Sequence, residues 1–170
     1  MSQFEKNKNR IRLLASVGIC AASAMVLAYV EFLLPPIYAP LPAVKCGLAN
    51  IAVLFILYKG GGLPAALVSA VKVSLTALLF GSFMSLAYSA SGAALSLVVM
   101  ILLRRTDRFT PLGVSVAGAI AHNAGQVAVA AFITGTPAVT AYFIPLMLTG
   151  CAAGIAVGLL GGILLKHVKV

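Results

Sequence analysis

The sequence predicts an all-α integral membrane protein, a single domain over residues 1–170 folded as a bundle of six transmembrane helices. Hydrophobic residues make up 62% of the chain and charged residues only 9%, whereas a soluble domain is about half apolar and about a quarter charged. Six apolar segments follow one another, and most cations lie near their ends. A chain of this length cannot hide so much apolar surface from water, so the bilayer must surround most of it.

Turn-forming residues separate the six segments, each long enough to be considered for a crossing of a ~30 Å hydrocarbon core. Four prolines follow the first segment, three glycines and Pro64 separate the second from the third, and Gly81 alone marks the next turn. Arg104 to Pro111 and Gly135 to Pro137 supply the last two breaks. The predicted helices are 11–34, 43–58, 63–80, 83–103, 111–134 and 139–165.

The positive charge of the chain predicts its orientation. Twelve Lys and Arg against three Asp and Glu give a formal charge of +9. The N-terminus with its basic tail 1–10, the turn at 59–62, the loop at 104–110 and the C-terminus hold ten of these cations, and the alternate loops hold none. By the positive-inside rule both termini are therefore cytoplasmic. This distribution favours membrane topology over a DNA-binding face, so no nucleic-acid partner is expected. The cations in question are Lys6, Lys8, Arg10, Arg12, Lys59, Arg104, Arg105, Arg108, Lys166 and Lys169.

Polar residues within the apolar segments are the candidate ligand-binding residues, because ionisable groups inside a bilayer usually face a cavity or a partner. Lys72 is predicted near the membrane midplane, and the other candidates fall between the midplane and the outer surface. Together they predict an outward-facing pocket capped by the Pro-rich loop 35–42. The set is Glu31, Lys45, Asn50, Lys72, Tyr88, His122, Asn123 and Gln126.

Several of these residues also have structural interpretations. Lys45 can extend to the membrane surface or pair with Glu31. His122, Asn123 and Gln126 can hydrogen-bond between helices, and Tyr88 can be a packing aromatic; with the pairing of Glu31, these are the alternatives for six of the candidates. Lys45 and Lys72 against Glu31 leave one surplus positive charge, which favours an anionic or strongly hydrogen-bonding ligand.

Small residues recur every four positions in helices 1, 5 and 6, a spacing that lets helices approach closely in lipid. Packing inside the bundle is the favoured interpretation, and a docking face for a partner subunit is the alternative, best supported on helix 1. The candidate docking residues are Gly18, Ala22, Ala24 and Ala28. Neither a metal-binding cluster nor a phosphate-binding loop is recognisable, so no directly bound cofactor and no catalytic site are expected.

Four segments in order resemble one family. They are Lys45-Cys-Gly-Leu-Ala-Asn50-Ile, Phe80-Gly-Ser, Tyr88-Ser-Ala-Ser-Gly-Ala-Ala-Leu-Ser96 and Gly118-Ala-Ile-Ala-His122-Asn-Ala-Gly-Gln126. Together they resemble the Gx transporter family, often labelled heptaprenyl diphosphate synthase component I, over about residues 26–131. That family is similar to the substrate-binding S components of energy-coupling-factor transporters.

The resemblance implies a multi-pass protein of the bacterial cytoplasmic membrane that captures a vitamin or similar small molecule from outside. It implies a transmembrane coupling protein and two ATPase subunits as partners, so that ATP acts only through those ATPases. It also implies docking through small residues on helix 1.

Two other functions are considered. Chain-elongating prenyl transferases need aspartate clusters for magnesium, and the one aspartate here, Asp107, lies among arginines. The family label therefore favours a non-catalytic accessory role in isoprenoid or quinone metabolism. A stand-alone proton-coupled carrier is the third hypothesis, with His122 as the titrating group.

Overall fold

The computed structural model describes residues 3–33 and 47–168. Over these ranges the chain forms six α-helices, one 3-10 helix and no β-strand. In chain order they are α1 (Gln3–Leu33), α2 (Asn50–Gly60), α3 (Gly62–Phe80), α4 (Phe83–Arg105), α5 (Pro111–Thr134), the 3-10 helix Pro137–Tyr142 and α6 (Phe143–His167).

Local sequence explains where several helices begin. Thr110 precedes α5, its hydroxyl accepts a hydrogen bond from the Gly113 N–H at 3.2 Å, and Pro111 occupies the first helical position, where a missing N–H is harmless. Ser82 caps α4 in the same way. The predicted ends of the third, fourth and fifth helices agree with the structure within two residues.

The predicted start of the second helix is wrong. We expected a helix over 43–58, but residues 47–49 form a turn and α2 begins at Asn50. Gly47 adopts a positive φ of 70°, a left-handed conformation that an α-helix does not contain. Residues 43–46 lie outside the described ranges. The predicted start of the sixth helix also shifts, because the chain forms a 3-10 helix up to Tyr142 and α6 begins at Phe143.

The short helix α2 lies at the centre of the bundle. Every residue from Ile51 to Leu57 is buried, as expected for a helix that is apolar on all sides. It contacts α1, α3 and α6, while α4 and α5 join the bundle through α3 and α6. By contrast, the other helices expose many large apolar side chains, including Leu78 and Phe132, which is the surface that a lipid environment accepts.

By length and composition, five helices of the described chain can cross a membrane, as in a multi-pass membrane protein: Arg10–Leu33, Gly62–Phe80, Phe83–Arg105, Pro111–Thr134 and Val139–His167. Helix α2 has 11 residues and a length of about 16 Å, roughly half of the hydrocarbon core. The six crossings and the cytoplasmic placement of both termini therefore stay predictions.

The predicted small-residue stripe of α6 consists of Gly150, Gly154, Gly158 and Gly162. The first three pack against α5, as the favoured interpretation expects, whereas a Cβ at Gly162 would have no heavy atom within 4 Å. A Cβ added at Gly154 would lie 2.8 Å from Val116 Cα, and one at Gly158 would lie 2.8 Å from Leu112 Cα. Because these distances are to backbone atoms of α5, only glycine permits this approach. The two helices therefore form a fixed pair that carries part of the candidate site.

Candidate functional site

The turn that precedes α2 connects three helices through polar contacts. The left-handed Gly47 directs the chain so that the Leu48 N–H donates a 2.8 Å hydrogen bond to Glu31 Oε1 on α1. Three residues after Gly47, Asn50 Oδ1 accepts a 2.6 Å hydrogen bond from Lys72 Nζ on α3. The Gly-Leu-Ala-Asn segment thus joins α1 to α3, and we call Glu31, Leu48, Asn50, Lys72 and His122 the polar cluster.

Lys72 lies in the middle of α3, ten residues or about 15 Å from the first residue of the helix, Gly62. Its side chain is buried, with 9% of its surface exposed. Among the described residues its one hydrogen-bond partner is Asn50, although an ammonium group has three N–H donors. One turn further along α3, the Thr76 hydroxyl oxygen is buried and finds no partner in residues 3–33 or 47–168. The face of α3 that carries Lys72 therefore retains unused hydrogen-bonding groups.

Helix α5 brings His122 to this cluster. The imidazole approaches the backbone of Gly92 on α4 and lies within electrostatic reach of Lys72. A Cβ at Gly92 would lie 2.7 Å from the His122 carbonyl oxygen and 2.9 Å from Gln126 Cγ. Gly92 therefore allows α4 and α5 to meet closely, with His122 and Gln126 at the crossing.

Asn123 faces the opposite neighbour of α5. Its side-chain amide donates a hydrogen bond to the Leu146 carbonyl on α6, beside Gly150, where an added Cβ would clash with Asn123 Nδ2. The interpretation of Asn123 as an interhelical hydrogen bond is confirmed. If this amide binds a ligand, its hydrogen bond to the Leu146 carbonyl must first break.

Lys45 and Tyr88, like Asn123, are not joined to the cluster by a described contact. Lys45 lies outside the described residues, as does the Pro-rich loop 35–42 that we predicted as the cap of the pocket. Tyr88 is half-buried on α4, one turn before Gly92, and its carbonyl accepts a 2.9 Å hydrogen bond from Ser91 Oγ. Within the described cluster the positive charge of Lys72 and the negative charge of Glu31 cancel, so the predicted surplus positive charge depends on Lys45.

Two contributors escaped sequence analysis. The backbone N–H of Leu48 binds Glu31, and a backbone donor on an apolar residue leaves no pattern in the sequence. The Ser91 hydroxyl donates to the Gly125 carbonyl at 3.1 Å and links α4 to α5. A serine within an apolar helix, placed one residue before Gly92, is the only sequence pattern that marks it.

The predicted docking residues of α1 divide into two pairs. Ala24 and Ala28 are buried in the bundle, with 0% and 7% of their surfaces exposed. Gly18 and Ala22 are exposed, and a Cβ at Gly18 would have no heavy atom within 4 Å. A partner that docks on α1 in this conformation can reach only Gly18 and Ala22 of the four.

Two cavities border other parts of the described chain. One of about 310 Å³ lies at the end of the bundle that carries Arg104 and Arg105, and an apolar groove of about 160 Å³ lies between α1, α2 and α6. Lys72 lines neither of them. The outward-facing pocket therefore stays a prediction.

These features define a helical membrane protein with a partly buried polar cluster around the start of a half-length helix. The chain belongs to the family described as heptaprenyl diphosphate synthase component I, whose family model matches residues 20–164. This confirms the family suspected from the four sequence segments. No curated protein and no solved structure matches the chain.

Proposed function

We propose that the chain is the substrate-binding membrane subunit of an energy-coupling-factor type uptake transporter, resembling an S component. The ligand is a small nutrient-like molecule that binds at the polar cluster from the outer face. This chain performs no chemistry on the ligand and binds no ATP. A transmembrane coupling protein and two ATPase subunits supply the energy.

Lys72 is the observation that carries the proposal. The N-terminus of a helix bears a partial positive charge, and Lys72 contacts the first residue of α2, Asn50. A cation is unfavourable there, and burial adds a further cost. Glu31 offsets part of the cost, since it interacts electrostatically with Lys72. An anionic group on a ligand would interact favourably with both the Lys72 ammonium and the positive N-terminal end of α2. Ligand binding therefore gives Lys72 a role that packing does not explain.

The unused donors point to the same ligand chemistry. Two N–H groups of Lys72 and the Thr76 hydroxyl are available on one face of α3. Half-length helices whose N-termini meet anionic substrate groups near the bilayer midplane are known in transporters. A carboxylate or a comparable acceptor on the ligand is therefore the expected contact of Lys72, with an apolar remainder among the surrounding helices.

Native mass spectrometry of protein extracted gently from its own host tests the binding proposal. Wild-type protein is expected to retain a small molecule, and Lys72→Met is expected to lose at least 90% of it, because the substitution keeps the length of the side chain and removes its charge. Ser115→Ala is the matched control, because Ser115 donates to the Gly154 carbonyl elsewhere in the bundle. Equal retention by wild type and Lys72→Met refutes the assignment of the site.

The partner proposal has a separate test. Gly18→Leu adds bulk on an open face and should leave the fold intact, while reducing copurification of the coupling protein and ATPases at least fivefold. Ala94→Leu, which introduces the same side chain at an exposed position of α4, is the control. Undiminished copurification of Gly18→Leu counts against docking on α1.

The family description favours a second candidate, a non-catalytic membrane component of isoprenoid or quinone synthesis. The same extraction separates the two functions. Copurification with a prenyl synthase and without any ATPase supports the accessory role and counts against the transporter.

A further inference from the structure

A polar cavity lies at the opposite end of α2 from the polar cluster. Its volume is about 310 Å³. It combines apolar walls with two arginines and one carboxylate, contributed by the end of α2, the start of α3, the end of α4 and the loop that follows α4. The lining residues are Leu57, Gly62, Ile101, Arg104, Arg105 and Asp107.

Arg104 is held in place by the end of α2. Its guanidinium donates to the carbonyls of Leu57 and Tyr58 and lies 5.3 Å from the centre of the Tyr58 ring. These contacts use two of its five N–H groups. The side chain is therefore pre-positioned at the cavity, with donors remaining for a ligand.

A further feature favours an anion in this cavity. The N–H groups of Gly62 and Leu63 precede the first intrahelical bond of α3, which runs from Ala65 N to Gly61 O. Because Gly62 lines the cavity, the positive end of α3 borders it.

The charges of the lining residues leave a net positive cavity. Arg105 is exposed and adds a second guanidinium to that of Arg104, while Asp107 contributes one opposing charge. Arg108 lies in the same loop but does not line the cavity. Leu57 and Ile101 provide an apolar wall next to the arginines.

We propose that this cavity binds the phosphate group of an anionic amphiphile at the membrane surface, with Arg104, Arg105 and the start of α3 as donors. The phosphate binds near the guanidinium groups, which match its geometry, and the apolar part lies against Leu57 and Ile101. The site lies at the opposite end of α2 from Lys72 and does not depend on the proposed transport role.

The experiment uses the full chain in mild detergent, with native mass spectrometry after addition of phosphatidylglycerol or phosphatidylcholine. Wild-type protein should retain phosphatidylglycerol at least fivefold more than phosphatidylcholine. Arg105→Gln should reduce that retention roughly fivefold, since it removes a charged donor, while Arg108→Gln changes it less than twofold. Asp107→Asn should increase it. Lys72→Met should leave it unchanged, so the two sites can fail separately.

The source of the phosphate is decided by competition with inorganic pyrophosphate. Displacement of phosphatidylglycerol by millimolar pyrophosphate identifies the phosphate group as sufficient, and a lack of displacement identifies a lipid that needs its apolar chains; either outcome supports the site. Equal retention of the two lipids, or equal losses in Arg105→Gln and Arg108→Gln, overturns it.

Discussion

The contact between Lys72 and Asn50 can be tested by a double-mutant cycle, with an outcome that differs between the two single variants. Asn50→Leu leaves a buried ammonium group without its 2.6 Å hydrogen-bond acceptor. Lys72→Met leaves only a neutral amide without a donor. Because an unpaired buried charge costs more than an unpaired amide, the first variant should be the less stable.

The magnitudes follow from the chemistry of the two groups. Loss of a hydrogen bond to a charged group costs about 2 kcal/mol, and loss of a donor to an amide costs about 1 kcal/mol. In the double variant both polar groups are gone, so its loss should also be about 1 kcal/mol. Independent effects would sum to about 3 kcal/mol, and the expected coupling energy is therefore about 2 kcal/mol.

Unfolding in mixed micelles with increasing denaturing detergent measures these differences. The pair Lys72→Met and Ser115→Ala is the additive control, because Ser115 bonds the Gly154 carbonyl and shares no hydrogen bond with Lys72. Additive losses for Asn50 and Lys72, within about 0.5 kcal/mol, would refute the claim that this hydrogen bond holds the start of α2 to α3.

Three other substitutions probe the packing around the site by the same unfolding measurement. Gly92→Ala should cost about 1–3 kcal/mol of stability because its Cβ would lie 2.7 Å from the His122 carbonyl oxygen. The control Gly18→Ala, on the open face of α1, should be neutral or slightly stabilising. Equal effects of the two substitutions would contradict the close crossing of α4 and α5. Arg104→Lys should cost about 1 kcal/mol of stability, because lysine cannot donate to the Leu57 and Tyr58 carbonyls in the forked geometry of a guanidinium. The control Arg108→Lys, at an exposed position, should cost less than about 0.5 kcal/mol. Glu31→Ala should cost about 1 kcal/mol and Glu31→Gln less, because glutamine still accepts from the backbone N–H that Glu31 binds; equal losses would show that charge alone matters.

The sequence predicted those helix boundaries that are marked by turn-forming residues. Gly60 to Gly62 and the Arg104–Pro111 loop separate helices in the structure close to the predicted positions. The start of α2 was missed because Gly47 and Leu48 continue an apolar run, and hydropathy carries no information about a positive φ. The apolar run predicted a longer helix than the backbone forms.

The burial of Lys72 was easier to predict from the sequence than the contacts of the other candidate residues. The depth of Lys72 in an apolar helix correctly singled it out as buried. His122 and Asn123 were assigned together, but successive residues of a helix point about 100° apart, so one approaches α4 and the other bonds α6. The small-residue pattern of α1 likewise could not separate buried Ala24 from exposed Ala22.

Within the described ranges, three charged side chains bind α2 or the turn that precedes it, and their roles differ. Unpaired backbone groups at the ends of a helix are costly in a membrane protein. Arg104 satisfies carbonyls at the C-terminal end of α2, and Glu31 accepts a backbone N–H of the turn before its N-terminal end. Each of these charges has the sign that the helix dipole favours at its end. Lys72 has the opposite sign to the one favoured at its position beside Asn50. Support of α2 therefore explains the charges of Arg104 and Glu31 but not that of Lys72. Lys72→Met removes this charge at an expected cost of only about 1 kcal/mol of stability, so a folded variant that loses the ligand would separate ligand binding from folding.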